Sequence, residues 1–336
     1  MSSGHASWST RQYVIDPIPD PQDTTLRAQC GGEVRRQAFA AAEQLLRMTA
    51  ATPAGGLRAM IRLAFDPNRR PRQQRLRVEL LLAAKGDRDQ TLDHLSLAGP
   101  LAGIYTLEAV DGTLALPEGL NACSEVVRRE EAWNPDPISD NEYIPEKYYT
   151  LHPFEPKDDH DWMNIDRLLD RFDEPACIEV LAEPANVDEE RLWNYRYMKQ
   201  LMRINRSQYS SGRGKTKKRR SSPSVRDPIA TDVQRQQRNI QEDLRHPQLR
   251  FAVRCWAAYE NSAHLLASSL AEASLAGGNY RVLNYAVEQL SDVRKASTRI
   301  QVLDRELLAP SVWKDIFSGG SDPDRSARSH LRRMSR

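Results

Sequence analysis

The sequence predicts an α+β chain of two related strand-strand-helix-strand modules, each a small mixed or antiparallel sheet with helices packed on one face. Three observations lead there. Short runs alternate apolar and polar residues or are apolar throughout, and longer runs between them place apolar residues at helical spacing. The stretch RLRVELLLAAKGDRDQTLDHLSLAGPLAGIYTLEAV aligns with QLRFAVRCWAAYENSAHLLASSLAEASLAGGNYRVLNYAV. Both begin with an LR-type strand that turns fully apolar, pass a polar turn into a short helix, and close on a Gly–aromatic strand. A length of 336 residues also suits two domains. A duplication accounts for the alignment, as does convergence on one strand–helix order.

In chain order, residues 1–33 are polar and rich in Pro and Asp, and they are expected to form a flexible lead-in. Residues 34–116 make the first module. Val34–Met48 is Ala/Leu-rich with helical spacing, and the TPAGG turn cluster at 52–56 ends it. Leu57–Phe65 and Arg75–Ala84 read as strands joined by DPNRRPRQQ, which suits an exposed hairpin loop. Gln90–Ala98 can form a short helix, and Gly103–Val110 a third strand. Residues 117–160 carry prolines at 117, 135, 137, 145 and 153 with Trp133, Tyr143, Tyr148 and Tyr149, so an irregular connection packed on a surface is expected.

The second module covers 161–317. Asp161–Phe172 is an amphipathic helix stopped by Pro175, and Ala176–Ala182 is a strand. Asn186 or Asp188 can cap a helix reaching about Asn205. Asp227 can cap another, to about Arg245, with Pro228 at its favoured first position. Between these helices lies a basic insert, 207–226. Gln248–Ala258 is a strand, Ser262–Leu275 a helix, and Tyr280–Val287 a strand or a strand–helix junction. Residues 318–336 are expected to be a disordered basic tail.

Composition excludes several classes. Hydrophobic residues are 40% and charged residues 28%, enough apolar material for true cores, and the net charge of +2 does not mark a general nucleic-acid binder. No apolar run approaches the roughly 20 residues of a membrane span, and no secretion signal is recognisable at the N-terminus, so a cytoplasmic location is expected. Cys30, Cys123, Cys177 and Cys255 are widely spaced, with no zinc-ligand pattern. Cys177 and Cys255 lie in apolar runs and read as small buried hydrophobes.

The Gly-Lys-Thr at 214–216 is not a phosphate-binding loop. That motif needs Gly where Tyr209 stands, a strand before it and a helix after it. The same insert holds Arg213, Lys215, Lys217, Lys218, Arg219 and Arg220 with no acid. These six are the candidate nucleic-acid contacts, able to neutralise phosphates without reading sequence. A solvated flexible insertion accounts for them too, since only Tyr209 offers a stacking ring nearby.

Asp158, Asp159, His160 and Asp161 are better read as the N-terminal cap of the helix that follows than as metal ligands, because adjacent residues cannot all face one ion. Glu189 and Glu190 suit the first turn of a helix. Glu179 and Glu183 alternate along one strand, as paired carboxylates or as a polar strand face. His94, His246 and His264 have no partners in sequence that predict a relay. No catalytic residue, metal site, cofactor or small-molecule ligand is expected.

The segments FDEPACIEVLAEPANVDEERLWNYRYMKQLMRINRSQ and RDPIATDVQRQQRNIQEDLRHPQLRFAVRCWAAYENSAHLLASSLAEA, together with FDPNRRPRQQRLRVELLLAAKG, resemble the N-terminal region of HerA/FtsK-type bacterial ATPases related to conjugative-transfer and type IV secretion motors. There a strand ending in Glu-Pro, here Glu183-Pro184, leads into a long helix. A second helix then precedes a strand and a helix of small residues. The likeness covers most of residues 57–290. It implies a non-catalytic assembly or regulatory module that self-associates or joins an ATPase subunit; a stand-alone nucleic-acid-binding accessory protein that contacts DNA through the basic insert is the alternative its charges suggest. The sequence carries no Walker A or Walker B segment, so the motor is expected from another domain or subunit, and no catalytic residue carries over.

Overall fold

The computed structural model describes residues 8–15, 44–45, 47–49, 56–69, 75–85, 107–110, 115–133, 148–151, 169, 172–207, 228–275 and 278–303. They group into two compact units. One comprises Met1–Arg128, Pro153–Ala185 and Pro247–Leu303, and the other Arg129–His152, Asn186–His246 and Asp304–Arg336.

The first unit is an α+β body around an eight-stranded antiparallel sheet. Its strands are β1 (Trp8–Ile15), β2 (Leu57–Phe65), β3 (Leu76–Lys85), β4 (Leu107–Val110), β5 (Ala122–Arg128), β8 (Ala176–Pro184), β9 (Leu249–Ala257) and β10 (Tyr280–Asn284). The order across the sheet is β10-β5-β9-β8-β2-β3-β1-β4. Split between β8 and β2, the sheet gives two halves of one plan. β1, β2, β3, β4 and β5, β8, β9, β10 each arrange their first to fourth strands as 4-1-3-2. The second half, with helical Leu169 between its first and second strands and α3 (Glu260–Ser274) between β9 and β10, has the split β-α-β connectivity of the ferredoxin-like plan. The first half shares its strand order, with helical residues at 44–45 and 47–49 between its first and second strands. The alignment seen in sequence thus extends to topology.

The two sets of strands do not form separate small sheets. β2 pairs antiparallel with β8 from Ala59↔Ala182 to Phe65↔Ala176, which makes the sheet continuous. Two stretches expected to be irregular also join it. Trp8–Ile15, placed in the lead-in, is an interior strand whose Tyr13 and Ile15 are buried. Residues 122–128, placed in the irregular connection, are β5, between β9 and β10. Proline content hid them, because the prolines flank these strands and do not interrupt them.

Each face of the sheet has its own cover. On one, Leu45 packs with Tyr13, Leu57, Ala59, Leu80 and Leu82. There α3 also packs Leu266, Ala267, Leu270 and Ala271 onto Phe65, Val126, Ile178 and Cys255. These are the helices that the two modules were expected to place on one face. The opposite face is covered by a C-terminal strap not foreseen in sequence. The strap comprises α4 (Leu290–Thr298) and residues 299–303, and the 115–120 segment lies beside it. Strands covered on both sides need no alternation, which is why β3 is continuously apolar from Leu80 to Ala84.

The strap turns sharply after α4. The Gln301 amide donates to the Ala296 carbonyl (2.9 Å) and the Ile300 amide to the Ser297 carbonyl (3.1 Å), a helix-ending pair that needs the left-handed region at residue 300. Ile300 accordingly has φ 49°, although a β-branched side chain disfavours it. It is held because its side chain is buried with Met60, Leu81 and Leu181. Ile300→Gly removes the left-handed penalty of about 1–2 kcal/mol that Ile300→Ala retains. The glycine variant should therefore be the more stable of the two in urea unfolding, inverting the usual order of Ala and Gly. A less stable glycine variant would argue against strain at this position.

The second unit contains β6 (Glu130–Trp133), paired antiparallel with β7 (Tyr148–Leu151), and the helices α1 (Asp188–Ser207) and α2 (Pro228–Asp243). Asn186 Oδ1 accepts the Asp188 amide at the start of α1 (3.0 Å), so of the two expected caps Asn186 does the work. α1 and α2 run antiparallel, buried along Tyr197, Leu201 and Val233. Asn194 Nδ2 donates to both the carbonyl and Oε1 of Gln237, and Arg191 Nε to the Leu244 carbonyl. Within the first unit, the Ala185 amide at the end of β8 donates to the Gln248 carbonyl at the start of β9 (3.0 Å).

Candidate functional site: a buried charge row

Five adjacent strands each carry a charged residue amid apolar neighbours: Glu125 in β5, Arg254 in β9, Glu179 in β8, Arg62 in β2 and Glu79 in β3. The strand registers place them in one line, since Glu125↔Arg254, Glu179↔Arg254, Arg62↔Glu179 and Arg62↔Glu79 are all cross-strand partners. Acid and base alternate across the sheet. All five side chains are buried, at 0–7% exposure, on the face covered by the strap. Arg77 pairs with Glu79 at one end, and the Tyr285 hydroxyl donates to Glu125 at the other. Three acids thus meet three guanidinium groups.

Glu179 is the hub. Its Oε1 accepts Arg62 Nε (3.0 Å) and Nη2 (2.9 Å), and its Oε2 accepts Trp256 Nε1 (3.0 Å) and Ser297 Oγ (2.6 Å). Arg62 Nη1 also reaches Glu79 Oε2 (3.4 Å) and the Ala115 carbonyl (3.2 Å). Arg254 donates to Glu125 (3.5 Å), Ser297 Oγ (3.1 Å) and the Gln301 carbonyl (2.9 Å). Burial alone would lower the Arg62 pKa, but Glu179, Cys177 and Glu79 outweigh it and the pKa lies above its ordinary value. With four donors on one carboxylate, the acceptor capacity of Glu179 is filled by side chains of the protein. The row fastens the two halves to each other and the strap to both.

This corrects one reading of Glu179 and Glu183. They share a face but form neither a carboxylate pair nor a solvated strand face. Each has its own arginine across the β2–β8 junction, Glu179 with Arg62 and Glu183 with Arg58 (3.0 Å). Arg58 also stacks on Trp8, 4.0 Å from the ring centroid. Beside the row, Cys123 and Cys177 flank Trp256 on neighbouring strands. Burial pushes both thiols well above their ordinary value, so they behave as small apolar groups. Cys255 is buried too, on the opposite face.

A second polar group lies at the surface. Asn284 Oδ1 lies 2.9 Å from both Ser124 Oγ and His264 Nδ1, and Asn284 Nδ2 donates to Glu260 (3.3 Å). Ser124 directs its proton at Asn284, the same oxygen that His264 approaches, so the two do not form a nucleophile–base pair.

The six basic candidates, Arg213, Lys215, Lys217, Lys218, Arg219 and Arg220, lie outside the described residues, as do Tyr209, the 158–161 cluster, His94 and Cys30. The structure does show what brackets the insert. The helix before it runs to Ser207 and the helix after it starts at Pro228, so the insert links the tips of an antiparallel pair. Arg62, Glu79, Glu125 and Arg254 were not singled out in sequence. Their signal was a lone charge at the centre of an apolar strand, repeated in RAMIRLAF, RVELLLAA, ACSEVVR and FAVRCWA.

Fold and site together define a class, an α+β protein whose eight-stranded antiparallel sheet has two halves of one strand order joined by a buried ion-pair row. No protein-family model and no curated protein matches the sequence. Among the described residues, no helix is long and apolar enough to cross a membrane.

Proposed function

We propose that the chain is a non-catalytic assembly and regulatory module for a ring-forming HerA/FtsK-type DNA-translocation or secretion ATPase, with the motor supplied by a P-loop domain or subunit. The observation that carries this reading is the construction of the sheet. Its centre is fastened by buried ion pairs, while both outer strands are edges among the described residues. Such a body suits holding subunits in a fixed arrangement better than turning over a substrate. The sequence resemblance over residues 57–290 supports the same reading.

The antiparallel α1–α2 pair favours a second reading, a nucleic-acid-binding accessory protein. The basic insert joins the ends of those two helices, and there Arg213–Arg220 would meet phosphates.

One set of measurements separates the two. An assembly module self-associates, or co-elutes with a HerA/FtsK-type ATPase of the same organism, whatever happens to the insert. A monomer in every mixture overturns the assembly reading. Under the second reading, replacing the six basic residues with serine abolishes a salt-sensitive DNA gel shift, and an unchanged shift overturns it.

A further inference from the structure

Among the described residues, the two outer strands of the sheet are β4 and β10, the fourth strands of the two halves. An edge strand presents an unpaired row of backbone donors and acceptors, and proteins usually blunt or use it. Strand direction alternates without exception across all eight strands. A β10 edge laid beside the β4 edge of a second molecule therefore continues the alternation without reversal.

The charges on the two edges differ. Glu108 in β4 faces Val14, which faces Glu79, so Glu108 lies on the same face as the charge row. Arg281 in β10 faces Val127, two residues from Glu125, and lies on that face as well. Glu108 is exposed, and Arg281 Nε has no acceptor among the described residues. Pairing β4 with β4 would bring glutamates together, and pairing β10 with β10 would bring arginines together. Only unlike edges set acid against base, directly or diagonally. The chain already contains one junction of this chemistry, where β2 meets β8 antiparallel with Arg62 opposite Glu179 and Arg58 bonded to Glu183.

We infer that copies of this chain join edge to edge, β4 of one molecule against β10 of the next, with Glu108 and Arg281 selecting the unlike pairing. The contact is head-to-tail, so it closes into a ring or runs on as a filament according to the rotation between copies. It rests on the assembly reading and gives that reading its interface.

The test measures the mass of the full chain by light scattering across a concentration series. Compared are the wild type, Glu108→Arg, Arg281→Glu, the double exchange, and an equimolar mixture of the two single variants. The wild type should self-associate. Each single exchange should weaken association by at least about tenfold, because it sets like charges together. The double exchange should regain association, and so should the mixture, in which each variant supplies the edge the other lacks. Recovery on mixing cannot come from misfolded chains, so a folding defect is told apart from a lost contact. Single variants that associate like the wild type overturn the edge contact and leave the assembly reading standing. A wild type that is monomeric alone but captures the ATPase does the same. A wild type that does neither overturns both.

Discussion

Glu179→Ala should lower the stability of the sheet unit by about 3–5 kcal/mol, the cost of leaving a buried counter-charge without its partner. The loss is large because one carboxylate serves three side chains. Without it Arg62 loses the carboxylate that binds its Nε and Nη2, and Trp256 and Ser297 each lose an acceptor in a buried site. Glu183→Ala is the control. Its pair with Arg58 sits in the same junction but nearer solvent, and Arg58 retains the Arg299 carbonyl and the Trp8 ring. There the cost should be about 1 kcal/mol or less. Urea unfolding followed by tryptophan fluorescence gives both values from the shift in midpoint at unchanged slope. Equal, small effects at the two positions would mean that the row does not hold the halves together.

Trp256→Ala should cost a similar amount, about 3–5 kcal/mol, through a different term. Trp256 is fully buried between Cys123 and Cys177 and packs with Leu116, Leu120 and Val293, so truncation leaves a cavity under the strap. Arg294 of the strap, whose guanidinium donates to the Leu120 carbonyl, also lies over the indole at 5.2 Å from its centroid. Trp256→Phe separates shape from hydrogen bonding. It keeps most of the ring but withdraws the indole N–H from Glu179, and should cost about 1–3 kcal/mol. Thermal unfolding of the pair checks this. A phenylalanine variant as stable as the wild type would show that Ser297 alone satisfies Glu179 Oε2.

Much of the architecture was legible in local pattern. Leu57–Phe65 forms over its expected span, and the strands at Leu76–Lys85, Ala176–Pro184 and Leu249–Ala257 fall within two residues of theirs. Pro228 opens its helix as a residue without an amide proton should. The strands that escaped notice, β1 and β5, are short and stand in Pro- and Asp-rich surroundings. What makes them strands is pairing with β3, β4, β9 and β10, none of which is near in sequence. The strap escaped for a related reason. LSDVRKAST is only nine residues long, and it is held by Ser297 on Glu179 and Val293 near Trp256, contacts that no periodicity displays.

By itself the sequence determined the class of fold, several strand and helix spans and the burial of Cys177 and Cys255. Each of these depends on residues a few positions apart, where apolar spacing reports directly on burial. Only the tertiary structure decided that the repeats share one sheet, that the lone charges at 62, 79, 125, 179 and 254 are one row, and that Glu179 answers to Arg62 and not to Glu183. A charge in the middle of an apolar strand announces a partner but not which one. That choice is made by strand register across segments more than a hundred residues apart, such as 62 and 179.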